Sequence, residues 1–207
     1  MLVPIQSWTQ DFVRRLLEDF PGQVVFVGLQ GSYRRGEATG ESDIDMVTVL
    51  ERVGPEELRI YRDLVRSLPF GERACGFLCG REELSAWPPF DLLQLVLDTR
   101  PLYGSIQDLG AFSAADLEEA VRVGASALYH AAVHSYLYAP RLGEVLPGLE
   151  KSLFFLIRLE EKRRTGRWPD TRREAAALAG PLPEEAEARC AQIVRLASSY
   201  LKGSVPS

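Results

Sequence analysis

The chain is predicted to be an α+β protein, with strands and helices alternating in its first half and an all-α helical bundle in its second. Two observations carry this. Residues 24–27 (Val-Val-Phe-Val) and 44–50 (Ile-Asp-Met-Val-Thr-Val-Leu) are β-branched and apolar runs long enough for buried strands and too short for helices. From Ser113 onward the composition shifts to Ala, Leu, Glu and Arg at helical spacing, with short connections, the pattern of a bundle. The boundary is placed between residues 108 and 109, giving domains 1–108 and 109–207.

The elements follow in order from local chemistry. Ser7 and Gln10 stand at capping-box spacing, so a helix is expected to open there with Phe12, Val13, Leu16, Leu17 and Phe20 inward. The strand over 24–27 is expected to end at Gly28, Gly31 and Ser32. The second strand covers 44–50. Pro55, followed by Glu56 and Glu57 in a first turn, opens a helix over 55–68 with Leu58, Tyr61, Val65 and Leu68 on one face. A third strand is expected over 73–79. Trp87-Pro88-Pro89 breaks the chain, 90–97 is a short apolar helix, and residues 98–104 close the first half in a Leu-Tyr-Gly turn.

In the second half, Ser113 and Asp116 cap a helix running to about Tyr138. Pro140 and Pro147-Gly148 punctuate, and a second helix covers 149–164. Thr171 with Glu174 caps a third, and Pro183 opens a fourth that reaches Leu201.

Composition limits the function. The 207 residues carry 46% hydrophobic and 26% charged residues, ordinary for a folded globular protein, and a net charge of −5. A protein that grips a nucleic-acid template usually shows a basic stripe, so no nucleic-acid partner is expected. No apolar run approaches the length of a membrane span, and the first residues lack a signal-peptide pattern; a cytoplasmic protein with no membrane partner is expected.

The chemistry concentrates between the first two strands. Gly31 lets the backbone approach a bulky anion and present N–H groups to it, and Ser32 adds a hydroxyl donor. Asp43 and Asp45 are two apart at the start of a strand, so they project to one face, about 6 to 7 Å apart by the strand repeat, with Ile44 turned to the core. Two such carboxylates suit hard divalent cations, and Mg²⁺ in particular binds through one or two carboxylates plus phosphate oxygens. Arg34 and Arg35 lie in the same loop, within reach of phosphate oxygens. Together these features describe a metal-dependent nucleotidyl-transfer site.

The stretch Gly28 to Leu50, GLQGSYRRGEATGESDIDMVTVL, resembles the signature of the DNA polymerase β-like nucleotidyltransferase superfamily, a Gly-Ser turn followed about a dozen residues later by Asp-x-Asp. Its G-S-x-x-R-G opening and S-D-I-D close resemble the small bacterial branch, which includes minimal and antibiotic nucleotidyltransferases. The resemblance implies a small mixed sheet with flanking helices, followed by a helical bundle that helps form the acceptor site. It implies Gly31, Ser32 and Arg35 for the nucleotide, Asp43 and Asp45 as catalytic metal ligands, two Mg²⁺ ions, and an NTP as donor. Transfer of a nucleoside monophosphate to a hydroxyl of a small molecule is the expected reaction. The alternatives are a protein hydroxyl as acceptor, as in antitoxin-like enzymes, and a non-catalytic nucleotide- or partner-binding module. The last is motivated by a departure: members usually carry a third carboxylate on the strand over 73–79, and here that strand has none. Glu72, Glu82, Glu83, Asp91 and Asp98 are the nearby candidates.

Three other features have structural readings that outweigh functional ones. Cys75 and Cys79 lack a second pair for a zinc site and read as small strand residues. His130 and His134 at i and i+4 have ligand spacing but no metalloprotease pattern around them, and Tyr129, Tyr136 and Tyr138 on the same helix read as packing. The cationic stretch 160–173, with Trp168 as a stacking candidate, reads as a solvated helix end.

Overall fold

A four-stranded mixed sheet, in the order β3-β2-β1-β4, organises the first part of the chain. A computed structural model describes residues 1–105 and 112–203. Of these, 1–88 and 95–105 form one compact unit, and 89–94 with 112–203 form a second. The boundary expected at 108/109 lies outside the described residues.

The first unit begins with α1 (Ile5–Asp19) and β1 (Val24–Leu29), followed by a short helix α2 (Gly31–Arg35) and β2 (Ile44–Leu50). Then come α3 (Pro55–Ser67), a 3₁₀ turn (Gly71–Arg73), β3 (Ala74–Gly80), α4 (Arg81–Ser85), the end of α5 (Pro89–Leu97) and β4 (Arg100–Gly104). β2 and β3 are parallel, joined through α3, because a parallel pair needs a crossover. β1 is antiparallel to both β2 and β4, with Leu29 opposite Met46 on one side and Arg100 on the other.

The core forms where α1 and α3 lie on the sheet. Phe12, Leu16 and Phe20 of α1 and its C-cap meet Val27 and Leu29 of β1, Ile44, Met46 and Leu50 of β2, and Leu64 and Leu68 from α3 and its end. Phe12 and Leu16 are fully buried, and each such side chain contributes about 1.5–3 kcal/mol. Trp8 stacks on Phe12 and donates its indole N–H to the Pro69 carbonyl at 2.6 Å, which ties α1 to the entry of β3.

Several expectations are corrected. The box at Ser7 does not form: α1 starts at Ile5, and the Ser7 hydroxyl donates to the Pro4 carbonyl. The helix thus opens two residues ahead of the expected cap, and Trp8 is buried within its first turns. β1 runs through Gly28 to Leu29; a side chain at Gly28 would meet Thr99 and the Phe26 ring, so its small size serves close strand packing. In α3, Leu58 faces outward and Leu64 is buried instead, since the helix lies on the sheet along its 57–64–68 face. Glu57 turns back to accept the Gly54 N–H at 2.9 Å. The backbone N–H groups of Glu57 and Gly54 hold its carboxyl below the usual range. β3 starts at Ala74, with Arg73 in the preceding turn. Residues 100–104 are an edge strand on β1, not a turn.

In the second unit α6 (Ala114–Tyr138) packs on α7 (Leu142–Thr165) and α9 (Ala186–Leu201), and α7 also packs on α8 (Arg172–Ala179). The predicted caps of α6 and α8 form: the Ser113 and Thr171 hydroxyls accept the Asp116 and Glu174 N–H groups. α7 runs on through Pro147 rather than starting after it, since a proline in an early turn removes few helical bonds. α9 begins at Ala186, capped by the Glu185 carboxylate, which accepts the N–H groups of Glu187 and Ala188. No helix among the described residues is long and apolar enough to cross a membrane.

Gly76 of β3 has a positive φ of 140°, and a Cβ there would strike the Met46 backbone. Gly76→Ala is therefore expected to destabilise the protein by about 2–3 kcal/mol. Urea denaturation checks this, with a lower midpoint at unchanged slope.

Candidate functional site

Sequence order alone makes β1 hand the chain to α2, and α2 to the 36–43 loop that enters β2. Gly31 opens α2 with φ of 68°, and the place a Cβ would fill is taken by the Asp45 carboxylate. The Gln30 N–H donates to the Asp45 carbonyl at 2.8 Å. Two predicted site residues, Gly31 and Asp45, are thus in direct contact, a contact that only glycine permits. Ser32 follows on α2, half-buried.

Asp43 stands one residue before β2 and is exposed; Ile44 is fully buried; Asp45 is half-buried. The alternation keeps both acids off the core face. Among the described residues no three His, Cys, Asp or Glu side chains converge to hold a metal ion.

The five candidates for a third acid each have a definite place. β2 and β3 run parallel with Asp45 beside Cys75 and Leu50 beside Gly80. Glu82 and Glu83, in α4, thus follow the end of β3 remote from Asp45. Glu72 is exposed in the 3₁₀ turn, and Asp91 is exposed in the part of α5 that clusters with the second unit. Asp98 is only 2% exposed and is held by two guanidinium groups, Arg35 at 3.1 Å and Arg34 at 3.6 Å.

That buried arrangement accounts for the two signature arginines. Arg35 also meets Glu37 at 3.0 Å, and the Gln30 amide donates to the Thr99 hydroxyl at 2.7 Å. The segment 95–99 therefore clamps α2 at both ends. The role of Asp98 is invisible in the sequence, because it lies more than 60 residues from its partners.

Other candidates belong to the second unit. His130 and His134 are exposed on α6, with tilted rings 6.2 Å apart. Residues 160–165 form the end of α7, and Arg163, Arg164 and Arg167 pair with Glu160 and Glu161. Trp168 stacks on the buried Arg158 guanidinium at 4.0 Å, so its ring serves the packing of the helical unit.

Cys75 is exposed while Cys79 and Cys190 are buried. Burial, then the Glu83 charge, pushes the Cys79 thiol up to about 11, and burial also raises Cys190. Below a raised pKa the thiol keeps its proton, and only the thiolate is a nucleophile. At about pH 8, near the ordinary cysteine value, iodoacetamide is expected to label Cys75 well before the other two, as read by peptide mass spectrometry. Removing the shared anion should leave two cations in a largely buried place. Asp98→Ala is expected to cost about 3–5 kcal/mol in urea denaturation, and Asp98→Asn less.

Residues 10–94 match the family model of the nucleotidyltransferase domain. Among solved structures, the fold is similar to the spectinomycin adenyltransferase of Enterococcus faecialis, crystallised with ATP and spectinomycin. The identity is 17%, the TM-score 0.58, and the match covers 95% of this chain and 90% of that one. A toxin–antitoxin protein crystallised with AMP-PNP matches at 20% identity and a TM-score of 0.38, over 56% of this chain and 90% of that one. No curated protein matches. The Gly-Ser turn and the Asp-x-Asp pair both lie within that match, so residues 10–94 of this chain are similar to the nucleotidyltransferase domain.

Proposed function

We infer that the protein transfers a nucleoside monophosphate from an NTP to a hydroxyl of a small molecule, with magnesium. The observation that carries this is the contact between Gly31 and the Asp45 carboxylate, which brings an anion-accepting turn against an acid. The donor set suits magnesium: carboxylates of Asp43 and Asp45, with the remaining positions left to phosphate oxygens and water. Bound there, magnesium ions would neutralise charge on the triphosphate and on the leaving pyrophosphate.

The chain's own residues position the reactants. Backbone N–H groups at Gly31 and Ser32, with the Ser32 hydroxyl, cradle the β- and γ-phosphates. Arg35, engaged by Asp98 and Glu37, keeps a guanidinium at the end of the same turn. Held there, the α-phosphorus is open to in-line attack: the acceptor oxygen forms its bond to phosphorus, the bond from the α-phosphorus to the α–β bridging oxygen breaks, pyrophosphate leaves with that oxygen, and the hydroxyl proton passes to solvent water. Rates of such transfers rest on positioning and charge neutralisation more than on covalent chemistry.

A small molecule is favoured as acceptor because the similarity to the spectinomycin adenyltransferase extends over 95% of this chain, the helical part included. The net charge of −5 also disfavours a nucleic-acid acceptor. A second reading, a module that binds nucleotide without transfer, has one observation in its favour: β3 (Ala-Cys-Gly-Phe-Leu-Cys-Gly) carries no acid.

Pyrophosphate release is measured from ATP, GTP, CTP and UTP with magnesium against a panel of aminoglycoside-like and other hydroxyl acceptors. Release with one acceptor class is expected, and Asp43→Asn or Asp45→Asn should lower it by about 10²-fold or more. Nucleotide binding without release in any combination, unchanged by Asp43→Asn, would establish the module instead.

A further inference from the structure

Asp43 lies outside the strand ladder, so pairing within the sheet does not place it. The first paired residues of β2 and β3 are Ile44 and Ala74. Immediately before them come Asp43 and Arg73. Where related chains are expected to put an acid on this strand, the chain thus enters β3 with a cation.

The Arg73 guanidinium joins three separate stretches. Nη1 donates to the Met1 carbonyl at 3.0 Å, and Nη2 donates to the Tyr33 hydroxyl at 3.2 Å and to the Ser42 carbonyl. Tyr33 is a buried residue of α2, two positions after Gly31, and its hydroxyl also accepts the Val3 N–H at 3.1 Å. Ser42 immediately precedes Asp43. One cation therefore links the turn that carries Gly31 and Ser32 to the backbone that carries Asp43. A planar guanidinium can hold N–H groups toward three acceptors in fixed directions, whereas an ammonium on a flexible stem cannot reproduce that fork.

We propose that Arg73 is a positioning residue of the site: through Tyr33 and Ser42 it sets the distance between the Gly31-Ser32 turn and Asp43, and so the affinity for a divalent cation bound with a triphosphate. This rests on the functional reading above, in which Asp43 holds the metal. A neighbour that orients a metal-binding residue without touching the metal affects affinity about 10- to 100-fold.

Two measurements on the full chain test it, with wild type, Arg73→Lys, Arg73→Gln and Tyr33→Phe. The first is hydrogen–deuterium exchange of the peptides spanning 36–43, with those of α3 as internal control. The second is Mn²⁺ affinity, read by electron paramagnetic resonance, with and without a non-hydrolysable ATP analogue. Faster exchange in 36–43, with α3 unchanged, is expected in all three variants, together with Mn²⁺ affinity in the presence of the analogue weakened by about tenfold or more. Metal-free analogue affinity should be unchanged. Unaltered exchange in 36–43 would overturn the proposal, and so would loosened exchange with unaltered Mn²⁺ affinity. If wild type binds no Mn²⁺ with the analogue, the functional reading fails and the metal role of Arg73 is overturned with it; the exchange data then show separately whether Arg73 fixes the loop. If the Arg73 variants do not fold, Tyr33→Phe decides, since it removes the hydroxyl and keeps the ring.

Discussion

The contact between the Asp45 carboxylate and Gly31 governs the geometry of the first unit. With any side chain at position 31 that carboxylate would have to move, and the Gln30 N–H to Asp45 carbonyl bond at 2.8 Å would be strained along with it. Because β1, α2 and β2 meet at this point, the close approach sets where the turn lies relative to the start of the second strand. In the function proposed above, that acid, half-exposed beside a side-chain-free turn, would face a polyanion and its divalent cations.

Around that contact, charge is used to fix backbone. Asp98 gathers Arg34 and Arg35 from below the turn, and Arg73 gathers Tyr33 and the Ser42 carbonyl from the side of β3. The partners are 31 to 64 residues apart in sequence. Such connections hold a loop in place at a depth where water competes less for the charges, which makes each one more costly to break than a surface pair. The loop from Gly36 to Asp43 has no regular secondary structure of its own, and these outside anchors take the part that a ladder plays in a strand.

The helical unit follows simpler rules. Small residues of α6, Ala125 and Ala132, are fully buried where the long helices pack together, and Cys190 of α9 lies 3.4 Å from the Ala132 carbonyl. Its buried cation, Arg158, lies against flat rings and donates to the Pro169 carbonyl at 2.6 Å. The tryptophan that resembled a stacking platform for a ligand thus has a partner within the same unit.

Much of this was written in local chemistry. Strand β2, the helix after Pro55, the Ser113 and Thr171 caps and the Gly31/Asp45 signature could be read because periodicity, capping and turn residues act over four or five positions. Where packing overrides those signals the structure differs: α1 opens at Ile5 ahead of the Ser7 box, Gly28 continues a strand because Thr99 needs the space, and 100–104 is an edge strand because β1 offers an open side. What only folding decided was the environment of each charge. Asp98 as the shared anion of two arginines and Arg73 as the neighbour of Ser42 depend on contacts across many tens of residues, and no short-range pattern encodes which distant group a buried charge will find.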